Sequence, residues 1–166
     1  MTLYIAYNGL VDATTGMMAA GTAYTAGAKV AIQLAAPSGQ DIRLVEWGVS
    51  SSATAPATKT LYTLAQASAA TTCTTAHSAT TVMPVGDSSK TCPLTFSTST
   101  TAFGVTGITT NTTERQFGAF LGDPTEHYEK QFPLGRDYVC QAGKFCQLRI
   151  NTATSYNILA YIVFDV

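Results

Sequence analysis

In the stretch KVAIQLA (residues 29–35), Val30, Ile32 and Leu34 alternate with Ala31 and Gln33; in CQLRI (146–150), Cys146, Leu148 and Ile150 alternate with Gln147 and Arg149. A period of two sends successive side chains to opposite faces, so each stretch predicts a strand with one buried face. RLVEWGV (43–49) carries the only tryptophan, and Trp47 is expected in the core, on one strand face with Val45 and Val49. TLYTLAQ (60–66), TAFGVTGI (101–108) and RQFGAFL (115–121) predict further strands, the last two interrupted by glycine. YNILAYIVFDV (156–166) is apolar on both faces, which predicts a central place in a sheet.

Turn clusters separate these runs: APSGQD (36–41), PVGDSSK (84–90), GDPTE (122–126) and QAGK (141–144). Short strands rich in Thr, Val and Tyr between turn signals predict an all-β fold, an antiparallel β-sandwich or barrel of jelly-roll-like character. LAQASAATTCTTAHSA (64–79) has the alanines of a helix, but its Thr and Ser compete with helical backbone bonds, and it reads as a long loop or irregular edge. Residues 1–27 show little pattern beyond Leu3, Ile5 and Tyr7. They read as an extended N-terminal arm that packs on something other than its own core, with residues 28–166 as a single β domain.

The composition narrows what this domain does. The 166 residues are 46% hydrophobic but only 11% charged, against about 25% in an ordinary soluble domain. Either a partner covers part of the surface, or hydroxyl groups alone keep it wet. A net charge of −1 provides no basic field for nucleic acid. The longest apolar run, residues 158–164, falls short of the roughly 18 residues that cross a bilayer, so no membrane partner is expected. The N-terminus lacks a cationic start, a long apolar run and a small-residue cleavage site. The expectation is a protein that stays in the cell that makes it, or leaves by a route such as lysis.

Charge is concentrated in EHYEKQFPLGRDYVCQAGKFC (126–146), the natural place to look for chemistry. His127 and Glu129 form the H-x-E triplet that zinc deaminases use, but those need a close P-C-x-x-C. Here five residues lie between Cys140 and Cys146, and no proline precedes Cys140. Cys73 and His77 have the spacing that meets one ligand on a helix, but a Thr- and Ser-rich loop does not hold them so, and both histidines read as ordinary surface residues. Glu126 and Glu129 could flank a glycosidic bond; carboxylates in a charged loop are far more often solvated or paired. No nucleophile elbow, phosphate loop or H-E-x-x-H occurs, and neither a cofactor nor an enzymatic activity is expected.

The cysteines leave two readings open. Cys140 and Cys146 bracket a turn-like QAGKF, and Cys73 and Cys92 bracket a long polar loop, so nearest-neighbour disulfides come first among the three pairings. The alternative is four reduced thiols, normal for a protein made in cytoplasm. In EKQFPLGRDY, Pro133 and Gly135 enforce a bend, Phe132 and Leu134 present apolar surface, and Lys130, Arg136 and Asp137 supply charge. Such a mixture suits a protein contact, where charges fix register and apolar groups exclude water. The competing reading makes Phe132 and Leu134 a plug at one end of the sandwich.

Two landmarks together carry a resemblance. IRLVEWGVS (42–50) after GAKVAIQLAAP (27–37), and YEKQFPLGRDYVCQAGKFCQLRI (128–150) before a final aromatic-rich strand, resemble a family of small β-proteins. These are encoded among the virion structural genes of tailed bacteriophages, as head decoration or minor structural proteins. The resemblance runs from about Gly27 to Val166, without the arm, the cysteines or the Thr-rich middle (50–112). It implies a non-enzymatic, cementing protein on the outer surface of the virion capsid, made in the host cytoplasm. It would bind the phage major capsid protein and stabilise the assembled shell, with self-association as a homotrimer. On that reading the contacts are Tyr4, Ile5 and Tyr7 of the arm, and Phe132, Leu134 and Arg136 of the loop. The alternatives are a tail, fibre or receptor-binding protein and a carbohydrate-binding module.

Overall fold

A computed structural model describes residues 2–10, 14–15, 22–51, 58–87, 89–108, 110–133 and 135–166, apart from the side chain of Val105. In chain order its strands are β1 (Leu3–Tyr7), β2 (Thr22–Tyr24), β3 (Gly27–Ala35), β4 (Ile42–Ser51), β5 (Thr60–Ala67), β6 (Thr75–Ala76) and β7 (Val82–Val85). There follow β8 (Ala102–Gly107), β9 (Thr113–Gly122), β10 (Tyr128–Gln131), β11 (Tyr138–Cys140), β12 (Phe145–Thr152) and β13 (Tyr156–Asp165). The expected long strands are all present. They pair antiparallel into two sheets packed face to face, an all-β sandwich. The front sheet runs β10-β4-β13-β1-β7, with β11 also on β4 and β2 also on β13; the back sheet runs β6-β8-β3-β12-β5-β9.

The inner faces follow the alternation, corrected by bulges. β13 sends Ile158, Ala160, Ile162 and Phe164 inward, and β12 sends Cys146, Leu148 and Ile150 to meet them. Fully burying such an aliphatic side chain stabilises the fold by about 1.5–3 kcal/mol. On β4 the register against β13 shifts between Val163 and Phe164, so one extra residue of β4 is accommodated there. This turns Leu44 inward before the shift and Trp47 and Val49 inward after it, while Val45 stays partly exposed. Trp47 is fully buried as expected, but it does not share the core face with Val45.

The N-terminal segment departs from the expected arm. β1 lies inside the front sheet between β13 and β7, with Ile5 opposite Val163 on one side and Met83 on the other. Tyr4 and Ala6 are core residues. The pattern Leu3, Ile5, Tyr7 is that of the outward face; the inward set contains a small alanine and a tyrosine and gives no strong signal. Asn8 locks the strand in place. Its amide donates to Tyr24 Oη and to the Ile158 carbonyl, both at 2.9 Å, and its Oδ1 accepts the Ala160 N–H at 2.8 Å. Residues 11–13 and 16–21 of the expected arm lie outside the described residues, while Leu3–Tyr7 and Thr22–Tyr24 belong to the front sheet.

The Thr-rich middle covers the outer face of the back sheet at β3 and β8. Gln33 of β3 is buried there, its amide donating to the carbonyls of Thr71 (3.1 Å) and Thr100 (2.8 Å) and its Oε1 accepting the Thr71 N–H (2.8 Å). Beside it Val30, Cys73 and Ala102 form a second small core with Ile108 against it. β3 is therefore buried on both faces, its outer one beneath a polar cover whose backbone satisfies the buried amide.

Candidate binding surface

The structure divides the residues expected to make contacts. Tyr4 is only 4% exposed, its hydroxyl donating to the Thr91 carbonyl at 3.1 Å and its ring 5.9 Å from that of Phe164, so it is a core residue and not a contact. Phe132 is 5% exposed, with its N–H on the Val45 carbonyl and its ring 4.5 Å from Tyr138, which in turn stacks on Phe117. The plug reading holds for Phe132, because β10 and β11 both pair with β4 and draw the intervening loop against the sheet edge. Leu134 lies outside the described residues. Arg136 is exposed, beyond a turn in which its N–H bonds the Pro133 carbonyl. Ile5 and Tyr7 face outward, on a strand three positions from β11 across the front sheet, about 14 Å away at normal strand spacing. The five described residues do not form one site.

Ile5 and Tyr7 belong instead to a face that alternation builds across three strands. Leu3, Ile5 and Tyr7 of β1, Leu159, Tyr161 and Val163 of β13, and Met83 and Val85 of β7 all remain partly or largely exposed, Val85 at 50%. Tyr7 pairs with Tyr161, their ring centroids 6.0 Å apart. Tyr161 leans over β4, where a Cβ on Gly48 would overlap its ring, so only glycine admits this approach. Its hydroxyl donates to Glu46 Oε1 at 2.6 Å. Burial, that bond and the charges of Glu46 and Glu129 all push the Tyr161 phenol upward, so it stays a neutral donor. The result is an aliphatic and aromatic strip with two carboxylates along one side. β13 is apolar on both faces because one faces the core and the other is this strip. Period-two reading detected the double apolarity, but could not tell a second chain layer from an outward surface.

The chemistry-bearing residues are dispersed. All four cysteines are buried free thiols, so neither of the two expected disulfides is formed. Cys73 sits in the small cluster outside the back sheet and Cys92 in the main core, on opposite sides of that sheet. Cys140 and Cys146 do share the main core. Burial pushes the Cys73 and Cys140 thiols up to about 12, Cys92 up to about 11, and Cys146 well above the ordinary value. Thiols held protonated this way are poor nucleophiles. His127 is exposed beside Glu129 at 3.4 Å. His77 is buried, contrary to the surface reading, with its ring against Phe103, Nδ1 3.2 Å from Thr81 Oγ1 and Nε2 unpartnered. Among the described residues, no three His, Cys, Asp or Glu side chains gather as metal ligands would. Glu126 is occupied locally, accepting the Asp123 N–H.

No family model, no curated protein and no solved structure matches this chain.

Proposed function

We propose that this protein is a non-enzymatic virion structural protein, a head decoration protein that docks on the assembled capsid shell of a tailed bacteriophage through the outer face of its front sheet. The observation that carries this reading is the strip Leu3, Ile5, Tyr7, Tyr161, Val163, Met83 and Val85. An antiparallel sheet with one face in the core ordinarily turns polar residues outward, and a contiguous apolar face marks a place for a partner. Strands hold their side chains in fixed register, so such a strip binds with little ordering cost. Glu46 and Glu129 beside it suit basic groups on the partner and would fix orientation. The sequence resemblance points the same way. A bound copy bridging neighbouring shell subunits stabilises the shell by mass action, for as long as it remains bound. Self-association as a trimer belongs to the same proposal.

The test uses Ile5→Asp combined with Val163→Asp, which places two carboxylates opposite one another on the strip. Purified shells lacking the protein are mixed with each version and sedimented. The expected outcome is a loss of occupancy of roughly ten-fold or more, with a melting temperature lowered by only a few degrees. Full occupancy by the double variant overturns the docking surface. A handful of wild-type copies per particle, rather than hundreds, would place the protein on a tail or fibre.

A further inference from the structure

The outer face of the back sheet holds a groove of about 320 Å³ at the end that the Thr-rich cover leaves open, lined by Leu61, Thr63, Ile108, Asn111, Gln116 and Asn151 around Arg149. Arg149 is held rigidly. Its Nε and Nη2 donate to Gln147 Oε1 at 2.9 and 2.6 Å, and its Nη1 donates to Thr113 Oγ1. Gln147 is fixed in turn by its amide bonds to Gln33 Oε1 (2.7 Å) and Thr71 Oγ1 (3.3 Å), and Gln33 is buried beneath the cover. Every acceptor on this guanidinium is neutral. The ion pairs among the described residues are His127 with Glu129 and Lys144 with Glu114, and Arg149 is in neither. A half-buried cation without a counter-charge is costly, and burial does pull the Arg149 pKa below its ordinary value. Three of its five N–H groups are used, leaving one on each terminal nitrogen, a pair that a carboxylate can bridge.

We propose that this groove is a second docking site, which takes a carboxylate side chain on a segment of a partner protein, an Asp or Glu flanked by an aliphatic residue. The charge complement is the unpaired, pre-positioned Arg149. The aliphatic complement is Leu61, 38% exposed at the groove, and its cross-strand neighbour Leu121, 56% exposed. Exposed leucines favour a peptide over an acidic sugar, which stacks on aromatic rings. The site faces away from the front-sheet strip and does not depend on the proposal made for it.

The experiment is a ¹⁵N NMR titration of the full chain with acetyl-Leu-Glu-Leu-amide, its Gln counterpart and glucuronate, each to about 5 mM, the range of weak single-anchor contacts. The Glu peptide should shift the Arg149 Nε–H signal and the side-chain amides of Asn111 and Asn151. The Gln peptide should bind at least roughly ten-fold more weakly. Arg149→Gln should abolish the response, Arg149→Lys should retain part of it, and Leu121→Ser should weaken it several-fold. If Arg149→Gln disturbs the fold through Gln147 and Thr113, the lysine and serine variants decide. Equal shifts from the Glu and Gln peptides, or no shift from either, overturn the site. A stronger response to glucuronate overturns the peptide assignment in favour of an acidic sugar.

Discussion

His77 shows how one residue can make stability depend on pH. Its ring is 2% exposed against Phe103, and burial lowers its pKa to about 4 from an ordinary 6.5. The folded state therefore binds fewer protons than the unfolded chain between these two values, and stability rises with pH there. The contribution is complete above about pH 6.5 and falls as the pH drops toward 4, by up to about 3 kcal/mol. Urea midpoints at pH 7, 5.5 and 4.5 should decline for the wild type and decline less for His77→Phe, which keeps an aromatic ring there. Equal slopes would refute the assignment. The unpartnered Nε2 fits the same picture, since a neutral ring can bury its second nitrogen at far lower cost than an imidazolium can. Nothing in TTCTTAHSA marks this histidine as buried; its depth comes from β6 pairing with β8.

At the scale of elements, the long strands were legible because six to ten residues supply several repeats of the period. β1, β2, β6, β7, β10 and β11 were not, because two to five residues give too few repeats to establish a period. Their pairing partners lie far away in sequence, as Leu3 with Asp165 shows. β1 has the largest consequence. Removing residues 1–9 would leave β13 and β7 without the strand between them and would delete Tyr4, Ala6 and Asn8 from the interior. Such a truncation should lower the melting temperature by well over 10 °C or prevent folding, since losing the buried tyrosine alone costs about 3–5 kcal/mol. Circular dichroism melts of the truncated and intact chains check this. An unchanged melt would restore the arm reading.

At the scale of the whole molecule, the two sheets share one interior and their outer faces differ. The back sheet is partly covered by the chain's own Thr-rich segment, while the front sheet keeps an apolar strip outward. The four cysteines report on the interior as a whole, because Cys92, Cys140 and Cys146 lie in the main core and Cys73 under the cover. A thiol-reactive chromophore should find none of the four reactive within minutes on the native protein and all four after denaturation. Under native conditions Cys73 should react first, since opening the cover exposes it without separating the sheets. Rapid labelling of Cys146 in the native state would contradict the packing described here.

Sequence alone determined the fold class, the long strands, the turns between them and the burial of Trp47, because these follow from periodicity and local turn chemistry. The alternation of Leu3, Ile5 and Tyr7 was legible too, and these three share the outward face of β1. Tertiary structure decided which side each residue faces. Ile5 points outward while Tyr4 and Phe132 point inward, and Arg149 stands in a groove without a counter-charge. These are matters of register and long-range pairing, and within β4 a single bulge decides which residues face the core. A shift of a single residue exchanges the faces of a strand, so the surface of this protein is written in its pairings rather than in its local composition.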